Sequence, residues 1–142
     1  MRAGWICRVL EFAFTSDLPG NDHAPHNLSR NVYLYTGTHD NAPVRGWFEQ
    51  TATDEDKARL HRYLGREYPA AELPEIFIRM AMMSVAGTTI IPLQDILGLG
   101  NEARMNTPGT ETGNWEWRVM QDQLDDDIAC HLLDMTQVYG RE

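Results

Sequence analysis

The segment Gly37-Thr38-His39-Asp40-Asn41 sets an imidazole, a carboxylate and an amide side by side, directly after a hydrophobic run. Groups of these types at one chain position can hold a ligand through several hydrogen bonds. The carboxylate can also stabilise positive charge that develops during a reaction. The same residues suit a plain turn, because Asp and Asn bond their own backbone and cap helices. Spacing alone leaves both readings open. Further along, Pro92 to Thr110 mixes Gln94, Asp95, Asn101, Glu102, Arg104 and Asn106 with glycines at 98, 100 and 109. Glycines allow tight loop geometry. This is neither a GxGxxG fingerprint nor a loop ending in Gly-Lys-Ser/Thr, so phosphate binding is not expected. His23 and His26 stand three apart and upstream of His39 and Asp40. A zinc site is conceivable there, but the histidines lie in an aperiodic stretch and no clean ligand set follows. A surface or substrate-facing role is expected for them, with no metal and no cofactor. Asp125-Asp126-Asp127 reads as the solvated face of a helix. No Gly-x-Ser-x-Gly elbow occurs, and neither Cys7 nor Cys130 sits in a catalytic setting.

The elements around these segments follow from periodicity. Residues 5–14, 31–36 and 88–93 are short, apolar and bounded by turn residues, which predicts strands. Pro92 lacks a donor and should end the third strand. Residues 54–64 read as a helix, with Thr53 as cap, acids in the first turn and Gly65 as terminator. A second helix starts near Pro74, with Ile76, Phe77, Met80, Ala81, Ser84 and Val85 on one face, and ends by Gly87. Met120, Leu124, Ile128, Leu132, Met135 and Tyr139 recur at helical spacing and predict a last helix over 115–139. Strands that alternate with helices imply a parallel α/β sheet. Such sheets carry their sites at the carboxyl ends of the strands, which selects residues 15–27, 37–41 and 94–114. Three short strands make a small sheet with unprotected edges, so a larger sheet is expected.

Composition narrows the function classes. The 142 residues suit a single domain, and 42% hydrophobic content can build a core. A net charge of −9 argues against a nucleic-acid partner, which needs a basic footprint. No stretch reaches the roughly 18 apolar residues needed to span a membrane. Arg8 and Glu11 interrupt Ile6 to Phe14, so a secretory signal is not expected there. The two cysteines form no CxxC pair and are expected as buried or partly buried thiols in a reducing cytosol. The expected setting is cytoplasmic.

At these same segments the chain resembles the amylomaltases, the disproportionating enzymes of glycoside hydrolase family seventy-seven. The likeness rests on Val9-Leu10-Glu11-Phe12-Ala13-Phe14, on Tyr35-Thr36-Gly37-Thr38-His39-Asp40-Asn41, and on Ile91 through Gly109 with its Leu-Gln-Asp, Leu-Gly-Leu-Gly and Ala-Arg-Met-Asn-Thr-Pro-Gly runs. Gly113-Asn114-Trp115-Glu116-Trp117-Arg118 continues it. It covers nearly the whole chain, but only about the last quarter to third of a family member.

The resemblance implies that residues 1–142 form the C-terminal part of a (β/α)8 TIM-barrel catalytic domain, with the predicted strands as the sixth, seventh and eighth. It implies that Asp40 is the third catalytic carboxylate, which holds sugar hydroxyls at the cleavage point. It assigns His39 to the same sugar and makes Asn106, with Pro108 beside it, a substrate contact. The implied parent activity is a 4-α-glucanotransferase that passes α-1,4-glucan segments between maltooligosaccharides by retaining double displacement. The family's nucleophile and acid/base follow its fourth and fifth strands, and no acid here matches either. The chain alone is therefore expected to be inactive, with the N-terminal part of the barrel as a partner. The alternative is a non-catalytic module that binds glucan or completes a barrel. Where the family often carries an acid after the Phe-Ala-Phe run, this chain has Thr15, with Asp17 two residues on.

Overall fold

A computed structural model describes residues 4–141. The expected alternation is present: three parallel strands in the order β1-β2-β3, with helices in the crossover and after the last strand. β1 (Ile6–Val9) pairs with β2 (Val32–Tyr35), and β2 pairs with β3 (Thr88–Ile90). All three run the same way, so their carboxyl ends open on one side.

β1 is shorter than the sequence predicts. After Val9 the backbone curls into a 3-10 turn, Leu10–Phe14, that buries Leu10, Glu11, Ala13 and Phe14. An extended strand would send successive side chains to opposite faces. The turn instead turns Leu10, Ala13 and Phe14 into one core, where the Phe14 ring meets Tyr63 and Phe77 at 5.6 and 5.7 Å. Thr15 closes the turn by donating its hydroxyl to the Phe12 carbonyl at 3.0 Å. The long loop to β2 is ordered by side chains. His23 Nδ1 accepts the Val9 amide at 2.9 Å, and burial lowers the His23 pKa. His26 bonds the Tyr63 hydroxyl and the Pro19 carbonyl. His26 is at the surface, as expected, while His23 is half-buried and pins the loop to β1 through the Val9 amide.

The crossover begins with α1 (Val44–Gly46), which runs into a π-helical turn, Trp47–Thr51. α2 (Asp54–Leu64) starts where predicted. Thr53 and Asp56 form a reciprocal capping box, and left-handed Gly65 (φ 83°) ends the helix. α3 (Leu73–Met83) buries Leu73, Phe77, Met80 and Ala81 against Val32 and Leu34 of β2. It stops before the expected end because Ser84 leaves helical geometry, and Val85 is exposed. Arg141 donates to the carbonyls of Ala81, Met82, Ser84 and Ala86, satisfying acceptors that the helix end frees.

β3 ends at Ile90 rather than at residue 93, and Pro92 opens a single turn, α4 (Leu93–Ile96). The last helix, α5, spans Asp126–Val138, not 115–139. Asp125 caps it by accepting the Ile128 amide at 2.9 Å, with Asp126 and Asp127 in its first turn. The acidic run is thus a helix start at the positive end of the dipole, not a mid-helix face. Met120 and Leu124, expected on the apolar stripe, are exposed ahead of the helix, while Leu132, Met135 and Tyr139 pack against Ile78 and Met82.

Val32 and Leu34 face the helices, so the alternation of the strand puts Tyr33 and Tyr35 on the other face. There Tyr33 packs on Trp5 at 4.7 Å, while Trp5 and Ile90 remain exposed. Cys7 and Cys130 are both exposed, which corrects the expectation of buried thiols. Among the described residues no helix is long and apolar enough to cross a membrane.

Candidate active site

The segment after β2 folds as a tight turn whose closure falls to Thr38 and Asn41. The Thr38 amide and hydroxyl both donate to Asn41 Oδ1, at 2.9 and 2.8 Å. The Asp40 amide donates to Thr38 Oγ1 at 3.3 Å. The Asp40 carboxylate takes part in none of these bonds. Its Oδ1 accepts from Asn106 Nδ2 at 2.7 Å and lies 3.4 Å from His39 Nε2. The turn reading therefore fits Asn41, and the ligand-holding reading fits Asp40. Both site side chains keep water access, with 50% of the Asp40 and 58% of the His39 side-chain surface exposed.

Asn106 arrives from the loop after β3, and its amide donates to the His39 carbonyl at 3.1 Å. Arg104 fastens the two loops: it donates to the main-chain oxygens of Asp40 at 2.8 Å and Asn106 at 2.9 Å. The structure thus brings His39, Asp40 and Asn106 together. Pro108 is exposed on a turn closed by a Thr110 amide to Thr107 carbonyl bond. Beside His39 lies a cleft of about 270 Å³, lined among others by Tyr35, Thr38, Met105 and Trp115. Asp40, Asn106 and Pro108 are not part of that lining.

Two further acids lie near the strand ends, each 1% exposed: Glu11 is sealed off, and Asp95, which borders the cleft, is held by protein donors. Asp95 accepts from the Thr36 hydroxyl and, at 2.8 Å, from the Val44 amide. Glu11 Oε1 has no partner and lies against Gly37, where a Cβ would come within 2.8 Å of it. Burial pushes the Glu11 pKa well up, the Asp95 charge adds to that, and Arg104 opposes it. Burial raises Asp95 too, but its donors hold the charged form. The proton therefore sits on Glu11 in preference to Asp95. Sequence reasoning gave no role to Glu11, Asp95 or Arg104. A lone acid inside the apolar run 9–14 was the available signal for Glu11. Among the described residues no group of His, Cys, Asp and Glu is placed to hold a metal ion.

Chemically, Asp40 is a water-accessible carboxylate oriented by an amide and an imidazole, beside an aromatic-lined cleft. It can accept hydrogen bonds from hydroxyl groups and face a cationic centre. A retaining glycoside transfer needs two carboxyl groups about 5–5.5 Å apart. Glu11 and Asp95 cannot supply the second.

Residues 4–123 match the profile of the 4-alpha-glucanotransferase family. The chain is 48% identical over 135 residues to a 4-alpha-glucanotransferase of Synechocystis sp., covering 94% of this chain and 26% of that protein. A 4-alpha-glucanotransferase of Aquifex aeolicus is 45% identical, with 95% of this chain and 27% of that protein covered. The amylomaltase of Streptococcus agalactiae, solved in complex with acarbose, superposes with a TM-score of 0.84 at 35% identity, over 94% of this chain and 27% of that one. The chain thus spans about a quarter of the length of these relatives. With the profile matched over most of its length, the chain belongs to the 4-alpha-glucanotransferase family.

Proposed function

We propose that this chain is the C-terminal part of a (β/α)8-barrel 4-α-glucanotransferase and supplies its third carboxylate, Asp40. The observation that carries this reading is the bond from Asn106 to Asp40 Oδ1 at 2.7 Å, which unites the loops after β2 and β3 at the carboxyl end of a parallel sheet. The uncovered sheet face with Trp5, Tyr33 and Ile90 also supports it, because purely parallel sheets are covered on both faces. The N-terminal strands of the barrel are the proposed cover. They would bring the nucleophile and the acid/base that these residues do not contain.

The streptococcal relative was solved with acarbose, and we infer that an α-1,4-glucan occupies the corresponding face here. Asp40 accepts hydrogen bonds from hydroxyls of the sugar at the cleavage point, and His39 and Asn106 orient its carboxylate. As the glycosidic bond breaks, positive charge grows on that sugar. A fixed carboxylate stabilises this charge more than it stabilises the bound ground state. Pro108 is assigned to the outer end of the same groove.

The test is Asp40→Asn in this chain joined to the part of the Synechocystis relative that it does not match. The substitution keeps shape and removes charge. Hydrogen bonds to a charged acceptor contribute roughly 1.5–3 kcal/mol against about 1 for a neutral one. Turnover on maltotriose should fall by orders of magnitude, with a smaller change in KM. Near-normal turnover would reduce Asp40 to a turn residue.

A further inference from the structure

Trp115 is the one non-glycine residue with left-handed backbone among the described residues, at φ 63°. Residues with side chains adopt this conformation only when their surroundings hold them there, and such residues gather at functional sites. The surroundings do hold it. Its amide donates to the Met105 carbonyl at 2.6 Å, and Arg118 donates to its carbonyl at 2.8 Å. Asn114 just before it accepts the Thr107 amide at 2.8 Å and donates to the Thr110 carbonyl at 3.1 Å. None of this buries the indole, which stays 52% exposed and belongs to neither hydrophobic cluster. Its ring stands 5.1 Å from that of His39, tilted by 41°, and lines the cleft with Tyr35 and Met105. Core packing does not account for a large apolar ring fixed in a strained backbone and left half in water.

We propose that the exposed face of the Trp115 indole is a stacking platform for a pyranose ring of the glucan, bound alongside His39. This rests on the functional reading above and adds a residue to it. A pyranose carries C–H groups on its broad faces and hydroxyls around its edge. An aromatic face is negative and apolar, so it takes the C–H face, while polar groups take the edge. Thr38, Asn41 and Gln94 are among the polar side chains that line the cleft. The strain has a purpose in this arrangement: it turns the indole toward the sugar instead of into the loop.

Trp115→Gly and Trp115→Phe separate the alternatives. Glycine removes the platform but relieves the backbone. Phenylalanine keeps an aromatic face and keeps the strain. Both are made in the chain joined to the unmatched part of the Synechocystis relative. The readouts are kcat and KM on maltotriose and calorimetric binding of maltoheptaose. The Gly variant should raise both the Kd for maltoheptaose and KM by about tenfold or more, with kcat within about threefold. The Phe variant should stay within about threefold in all three quantities. Unchanged binding by the Gly variant would overturn the proposal. So would a Phe variant as poor as Gly, or a loss confined to kcat, which would mark a residue that only positions His39. Should the unsubstituted joined protein bind maltoheptaose but fail to transfer glucan, the functional reading falls, and the Gly binding result still decides this one. Absence of both binding and transfer would overturn both.

Discussion

Asp40 and Glu11 follow neighbouring parallel strands, yet one faces water and the other is buried. Asp40 is oriented by Asn106 and His39. Glu11 Oε1 has no hydrogen-bond partner among the described residues. That difference has a pH signature. Burial raises the Glu11 pKa in the fold above its value in the unfolded chain, near 4.5. The folded state therefore binds the proton more tightly, and its stability declines as pH climbs past the unfolded value toward the folded one. Glu11→Gln cannot titrate. In denaturant unfolding of the 142-residue chain, the Gln variant should match the parent near pH 4 and exceed it by on the order of 1–3 kcal/mol at pH 8. Parallel pH profiles for the two proteins would show that Glu11 carries no buried charge problem. His39 and Asp40 stood out in the sequence as polar side chains directly after an apolar run, whereas Asn106 was singled out only by the family resemblance. Glu11 was not legible, since its burial comes with the turn Leu10–Phe14, and the Asp95 charge that acts on it lies far along the chain.

The elements that hold the site are the irregular ones. α2 could be read to the residue because its signals, the Thr53–Asp56 box and Gly65, are local. The 3-10 turn after β1 could not, because its form answers to Phe77 and Tyr63 far along the chain. The start of α5 was misread for a related reason. Met120 and Leu124 keep helical spacing but face water, and Asp125 captures the first turn after them. Residues 106–115 are thereby free to fold as the loop that carries Asn106 and Trp115. α1 packs closely on the turn Asn101–Ala103, which precedes that loop. A Cβ on Gly46 would lie 2.7 Å from the Asn101 amide nitrogen and 3.2 Å from its Cα, and backbone atoms cannot step aside. Gly46→Ala should thus lower stability by roughly 1–3 kcal/mol, read from the unfolding midpoint. An unchanged midpoint would mean that α1 and the loop do not depend on this close approach.

At the scale of the whole molecule, one face of a three-stranded parallel sheet is covered by helices and the other is not. The order of elements already implied a larger sheet, because parallel strands with open edges and one bare face are rarely left so. What the sequence could not tell is which side chains would stay bare. Cys7, read as a buried thiol, is exposed. The family's chemistry needs a nucleophile and an acid/base; Glu11 is buried, and both carboxylate oxygens of Asp95 are engaged by the Thr36 hydroxyl and the Val44 amide. The three-part assay of glucose release from maltotriose asks directly whether this chain is the Asp40-bearing part of a glucanotransferase. It compares the 142-residue chain alone, the unmatched part of the Synechocystis relative alone, and the two joined. Transfer by the joined polypeptide and by neither part is the expected result; turnover by the chain alone, freed of contaminating enzymes, or none by a folded joined polypeptide, would contradict it.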